Sequence, residues 1–343
     1  MSGILGVDIG QGSIKLVVIN KDPSGVFLLE SVGENKIPLV ADRESNKQKY
    51  FNEVANSLKA LLADLKIKNK QVVASLSEND VISRMVRLPP MKDSEIMDAL
   101  RFEAETFVPY PLDEVSIDYE VIEKDDAGRL SVFVIAARND LIQSYVKLFR
   151  SLGLELVALE SPSVAYRRVV RNSIKTVERV VILDLGEKYS DIFNINKGNA
   201  YFARSIPVGG ESLTRAVSLG LGLDMASAEE YKKAYGIKDT ELEGKIRNVV
   251  LPVFNGITDE VRKAMTLFSE DSGGKAVELL VLSGGGANLP GMAEELTRLL
   301  GVEVQVSQPF VNVDVTKIKT NYNLNVDGCR FSLAVGLSLR GLI

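Results

Sequence analysis

The chain contains no histidine and no tryptophan, and its 343 residues include a single cysteine, Cys329. Without histidine there is no Ser-His-Asp or Cys-His nucleophilic centre, and the usual zinc-ligand sets are excluded. Any metal must be held by oxygen, which favours magnesium or calcium. One cysteine rules out an internal disulfide framework and suits a reducing compartment. No apolar run approaches the roughly 20 residues of a spanning helix, and the opening MSGILGVDIG is too short and too glycine-rich for a signal peptide. The end, FSLAVGLSLRGLI, reads as a buried helix rather than a basic helix lying on a membrane. A cytoplasmic chain without direct membrane insertion is expected, with any membrane connection made through a partner. The formal net charge of −5 argues against nonspecific attraction to nucleic acid or anionic lipid.

What is present is ordinary globular chemistry, 45% hydrophobic and 25% charged, in a length that favours two or more domains. Strands are predicted at residues 4–7, 13–19, 26–32 and 71–75, with a helix at 50–65 after a polar stretch at 42–49. From about residue 80 the texture changes to strand, helix, two strands, helix and strand, running to 159. Its first helix, 93–106, has Asp93 or Ser94 placed to cap it. The spacing then repeats itself: LDLGEKYSDIFNI, around Asp184, lies on VDIGQGSIKLVVI, around Asp8, matching apolar, Asp, apolar, Gly, polar turn and strand. A duplicated hairpin predicts a two-lobed, pseudo-symmetric molecule. Helices follow at 212–219, 227–234, 239–270 and 292–300, and a strand at 277–282.

Several turns carry anion-binding chemistry. In the first, Asp8-Ile9-Gly10-Gln11-Gly12-Ser13, the glycines allow backbone N–H groups to approach phosphate oxygens. Ser13 offers a hydroxyl, Lys15 a positive charge, and Asp8 a carboxylate for a hydrated metal. By itself such a turn is more often an ordinary hairpin; its copy at Asp184-Leu185-Gly186 would set a second carboxylate opposite the first. Ser283-Gly284-Gly285-Gly286-Ala287-Asn288 permits close approach to a flat ring or sugar, although Asn288 can equally cap the next helix. Gly209-Gly210 precedes a helix whose N-terminal N–H groups could meet terminal phosphates, or it simply turns the chain.

In order and spacing, these elements resemble the ATPase core of the actin, Hsp70, sugar-kinase and FtsA superfamily. The matching stretches are VDIGQGSIKLV, ALESPSVAYRRV, LDLGEKYSDI, LSGGGANLPGM and RFSLAVGLSLRG. The resemblance implies an actin-like α/β fold of two ribonuclease-H-like lobes, with a small FtsA-type α/β subdomain inserted in the first. The implied limits are 1–80, 160–176 and 331–343 for the first lobe and 81–159 for the insert. The second-lobe core would be 177–210 with 274–330, and its outer subdomain 211–273. The implied ligands are ATP and Mg2+. Asp8 and Asp184 would hold the metal, and Gly10, Gln11, Gly12, Ser13, Lys15, Gly186, Ser190, Gly209 and Gly210 would surround phosphates. Glu229 and Lys232 would bracket ribose and adenine, with Gly284, Gly285, Gly286 and Asn288 lining the adenosine. Glu160 would orient the attacking water, and Asp184 would serve as the second catalytic acid. The turn Gly186-Glu187-Lys188-Tyr189-Ser190 departs from the superfamily's usual glycine-rich run, which points to slow hydrolysis at most.

The insert, ISRMVRLPPMKDSEIMDALRFEAETFVPYPLDEVSIDYEVI, resembles the PilM family of type IV pilus assembly. Arg84, Pro89, Met91, Glu95, Glu103, Glu105, Pro109, Pro111 and Asp118 carry the match. That resemblance implies a scaffold held at the inner membrane by the cytoplasmic N-terminal peptide of PilN. Other pilus assembly components and self-association are further expected partners. The exposed apolars near 84–88 and 102–110 are candidate contacts, although packing of the insert's own core accounts for them better. An FtsA-like filament-forming ATPase and a small-molecule kinase of the same fold stand as the alternatives.

Overall fold

The computed structural model describes residues 3–38, 40, 45–174 and 176–343; positions 42–44 of the expected polar stretch lie outside them. Strands β1 (Ile4–Ile9), β2 (Ser13–Lys21) and β3 (Phe27–Lys36) form an antiparallel meander, followed by α1 (Lys47–Asp64) and β4 (Gln71–Ser75). Next come β5 (Val81–Leu88), α2 (Asp93–Ala104), β6 (Val115–Lys124), β7 (Leu130–Arg138), α3 (Asn139–Ser151), β8 (Glu155–Glu160) and α4 (Pro162–Ser173). The second half opens with β9 (Arg179–Leu185), β10 (Ser190–Asn196) and β11 (Asn199–Ile206), then α5 (Gly210–Leu221), α6 (Met225–Tyr235) and α7 (Lys245–Asp271). It closes with β12 (Leu279–Ser283), α8 (Met292–Leu300), β13 (Glu303–Val306), β14 (Val313–Asp314), α9 (Leu324–Asp327) and α10 (Ser332–Ser338).

The two large sheets repeat one plan. The first runs β14-β3-β2-β1-β4-β8 and the second β11-β10-β9-β12-β13. In each, a hairpin pair is antiparallel and the following strands are parallel: β4 to β1 and β8 to β4, β12 to β9 and β13 to β12. The duplication expected from the two Asp-Gly turns therefore extends to whole sheets. The strands β11 and β13 have no counterpart in the sequence reading: β13 is four residues of alternating polar and apolar character, and β11 follows β10 after the two-residue turn Lys197-Gly198.

Between residues 81 and 138 the chain builds a separate three-stranded sheet, β5-β7-β6. Its core of Val86, Leu88, Ile96, Leu100, Val132 and Val134 is covered by α2. The expected insert extended to 159, but β8 pairs with β4 in the first sheet. Tyr145, Leu148 and Phe149 of α3 join Leu5, Val7, Leu58 and Val72 in the first lobe's core. Their apolar face decides their membership. The α2 helix starts at Asp93, with the Lys92 N–H donating to Glu95 Oε2 at 2.9 Å, so neither Asp93 nor Ser94 is its cap. Of the candidate contact residues, Phe102 (72% exposed) and Tyr110 stand outside the core, whereas Val86 and Leu88 are buried within it.

The lobes meet through α4 and α10. Both contribute to one apolar layer, where Ala165, Tyr166, Leu333 and Leu337 pack with Val180, Phe193 and Leu279 of the second sheet. Ser161 caps α4 by accepting the Ser163 N–H, with Pro162 at the first helical position, an arrangement that sets the helix direction away from β8. Ser338 at the end of α10 accepts the Ile19 N–H and donates to Ile4 O, both at 2.8 Å, locking that helix onto β1 and β2. No helix among the described residues is long and apolar enough to cross a membrane.

Candidate nucleotide cleft

The two hairpin turns are closed in the same way. Gly10 N–H donates to Ser13 O at 3.0 Å, and Gly186 N–H donates to Tyr189 O at 3.0 Å. A side chain at Gly186 would crowd Tyr189 O at 2.9 Å, so glycine is needed for the tightness of the turn. Cross-strand registry pairs Asp8 with Lys15 and Asp184 with Asp191. Directly paired residues project to one face of a sheet; each lobe thus presents an aspartate with one partner, lysine in the first lobe and a second aspartate in the other.

These groups share one electrostatic environment. Lys15 lies 3.5 Å from Asp8 Oδ2; burial works against its charge, but Asp8, Glu34 and Asp184 together hold its pKa above the ordinary value. Burial pushes the Asp8 carboxyl up against the pull of Lys15. Burial also pushes Asp184 up to about 6, although Tyr166 donates its hydroxyl to Asp184 Oδ2 at 2.7 Å. Asp191 is pushed up to about 7, first by burial and then by the charge of Asp184. Its Oδ1 is buried with no hydrogen-bond partner among the described residues. The cleft is short of positive charge.

That shortage fits a divalent cation. Oxygen donors suit magnesium, which binds through one or two carboxylates and completes its shell with water and phosphate. Among the described residues no group of three acids is placed to cage an ion unaided. Asp8 and Asp184 are thus the side chains that would anchor a hydrated metal carried in with nucleotide phosphates. When bound, the metal would offset the paired carboxylates and neutralise phosphate charge.

The other expected contacts are distributed unevenly. Gly284 (φ +81°) packs against Asp184 and Leu185, and Gly286 against the Leu185 side chain, so both hold the β12–α8 loop on the β9–β10 turn. Gly285 is exposed, and a side chain there would meet open space. Asn288 donates its Nδ2 to Val326 O at 2.7 Å, and Gly291 occupies the cap position of α8, so Asn288 is not that helix's cap. Lys232 is buried and donates to Gly210 O at 3.0 Å and Thr214 Oγ1 at 2.8 Å, with Glu229 Oε2 at 2.6 Å. Glu229 and Lys232 thus sit together behind the first turn of α5. Ser13 donates to Glu34 Oε1 at 2.6 Å, and Ser190, fully buried, donates to Val208 O at 2.6 Å.

At two expected positions the groups already have partners within the protein. The N–H groups of Gly210 and Glu211 already donate to Gly186 O and Glu187 O, at 2.9 and 2.8 Å. In this conformation the Gly210 and Glu211 N–H groups seat the second turn. Glu160, expected to orient water, is buried and bound at both oxygens by Arg168, at 2.7 and 2.8 Å, and also by Arg340. Held between two guanidinium groups, the Glu160 carboxylate has both oxygens occupied in this conformation.

Tyr166, Asp191, Glu187 and Arg168 escaped the sequence reading. Asp191 had a signal, since it occupies the place of Lys15 in the duplication. Tyr166 and Arg168 lie within the ALESPSVAYRRV stretch but show their roles only once α4 is placed between the lobes.

The raised acids imply a pH effect. An acid with a higher pKa in the folded state holds its proton more tightly there, so its contribution to stability is lost as pH rises from about 4 to about 7. Asp191→Asn should therefore stabilise the nucleotide-free protein at pH 8 by about 1–3 kcal/mol. At pH 4 the difference should nearly vanish; urea unfolding at the two pH values measures it.

Two pseudo-symmetric lobes joined by two crossing helices, with paired acidic turns facing one cleft, define an actin-like ATPase fold. A profile described as type IV pilus assembly protein PilM matches residues 6–342, and the chain belongs to that family. Among solved structures it is similar to a PilM-PilN type IV pilus biogenesis complex, with a TM-score of 0.82 and 27% identity over 99% of both chains. MreB5 of Spiroplasma citri bound to AMPPNP shares the fold, with a TM-score of 0.55 and 14% identity over 99% of this chain and 96% of that one. Cell division protein FtsA of Staphylococcus epidermidis is 21% identical over 361 residues, covering 88% of this chain and 74% of that protein.

Proposed function

We propose that this pilus assembly protein binds ATP with a divalent cation in the cleft. In that state it acts as a scaffold for the N-terminal cytoplasmic peptide of a PilN-like inner-membrane protein. The observation that carries the nucleotide reading is the matched pair of turns, Asp8 with Lys15 and Asp184 with Asp191, left short of positive charge. The PilN partnership is drawn from the similarity to the PilM-PilN complex along the whole chain. Such a partner would place the protein at the inner membrane. We assign the first lobe to residues 3–80, 139–176 and 331–343 and the insert to 81–138. The second-lobe core is 177–210 with 274–330, and its outer part 211–273. Hydrolysis is slow in this reading, because the carboxylate of Glu160 is committed to Arg168 and Arg340.

Isothermal titration with MgATP tests the first half. Asp8→Ala should weaken binding about 10–100-fold, the scale on which metal-orienting groups act; unchanged affinity would remove the cleft from the account. A synthetic PilN-type N-terminal peptide at a hundred times its dissociation constant should add about 2.7 kcal/mol to stability. An unmoved melting temperature at saturating peptide would reject the partnership.

A further inference from the structure

Cross-strand registry carries the charges of the first turn one strand beyond the cleft. Asp8 pairs with Lys15 across β1 and β2, and Lys15 pairs with Glu34 across β2 and β3. Directly paired residues project to one face of a sheet, so three charged side chains stand side by side. Arg330, between α9 and α10, extends the row by meeting Glu34 Oε2 at 3.0 Å. The signs alternate along it, and the four side chains are only 12–32% exposed, so water and salt screen them weakly.

Lys15 is shared within this row. Its Nζ lies 3.5 Å from Asp8 Oδ2, longer than a closed hydrogen-bonded ion pair, and it also feels the charge of Glu34. Glu34 is itself fixed. Its Oε1 accepts the Ser13 hydroxyl at 2.6 Å, and its N–H donates to the Tyr322 hydroxyl at 3.1 Å. A carboxylate anchored at both oxygens thus draws on Lys15 from the side opposite Asp8.

We propose, on the nucleotide reading given above, that Glu34 is a positioning residue of the cleft: by sharing Lys15 with Asp8, it keeps the Asp8 carboxylate open to a divalent cation. Glu34 acts through Lys15 and Ser13. Without its charge Lys15 closes on Asp8, and an arriving cation has to displace it. Arg330 has the opposite effect, because its guanidinium offsets the charge of Glu34 and weakens the pull on Lys15. Unit charges about 4 Å apart near a protein surface interact strongly enough to move an equilibrium about ten-fold or more.

The test is titration of the full chain with ATP, in magnesium and in EDTA, for wild type, Glu34→Gln, Glu34→Asp and Arg330→Gln. The quantity read is the ratio of the affinity with magnesium to the affinity without it. Glutamine keeps the shape of Glu34 and removes its charge, so the ratio should fall about ten-fold. Aspartate keeps the charge and should stay nearer wild type than glutamine does. Arg330→Gln should raise the ratio. A merely structural loosening of the first turn would lower both affinities together, and loss of the Glu34–Arg330 pair would act alike from either side. Three results each overturn the proposal: an unchanged ratio in Glu34→Gln, an aspartate variant further from wild type than glutamine, or shifts of one sign in Glu34→Gln and Arg330→Gln. If wild type binds ATP in neither condition, the nucleotide reading itself fails and the role of Glu34 with it.

Discussion

Arg168→Met is expected to lower the unfolding free energy by about 3–5 kcal/mol, the usual cost of stranding one member of a buried ion pair. Glu160 is 6% exposed, and Arg168 meets both its oxygens. The same guanidinium donates to Gly336 O at 3.2 Å, tying α4 to α10. Arg340 also reaches Glu160, but it is partly exposed and meets only one of the two oxygens, so it does not replace the lost fork. Removing both members together, in Glu160→Gln with Arg168→Met, should recover most of the loss, because the one charge left without its partner, Arg340, is partly exposed to water. Urea unfolding of the single and double variants decides the matter; a loss below about 1 kcal/mol in Arg168→Met would mean that water or Arg340 suffices.

Gly336→Val should be at least as damaging. On α10 this glycine faces Ala165 of α4, and any side chain would overlap the Ala165 carbonyl. Gly6 on β1 has the same problem with Ala334 O and Ser338 N. The obstacles are backbone atoms of packed elements, which cannot swing aside as a side-chain tip can. Overpacking usually costs about 1–3 kcal/mol; here a loss of about 3 kcal/mol or more, or insoluble protein, is expected. Gly336→Ala should show a smaller loss in the same direction. Gly285→Ala is the contrast, since its added methyl group meets nothing within 4 Å and thermal melting should barely change.

The arginine and glycine pairs mark the boundary of what a linear reading reaches. The Asp8 and Asp184 turns were legible because a tight turn has local requirements, glycine at the bend and apolar strands on either side, and because it occurs twice. Lys15 and Asp191 follow from that duplication through simple cross-strand registry. The insert's composition stood apart, yet its end did not: α3 and β8 share its amphipathic pattern, and only the core they complete assigns them to the first lobe.

By itself, then, the sequence determined the two-lobed α/β plan, the paired acidic turns and the family to which the chain belongs. Tertiary structure alone decided which groups are available. It paired Glu160 with Arg168 and Arg340, directed the Gly210 and Glu211 N–H groups to the second turn, set Tyr166 on Asp184 and stretched Glu187 to Gly12. The physical reason is that a residue's chemistry is local, whereas its hydrogen-bond partners and its burial are set by elements distant in the chain. A carboxylate offered to water and one locked between two guanidinium groups read the same until the helices carrying those arginines are in place.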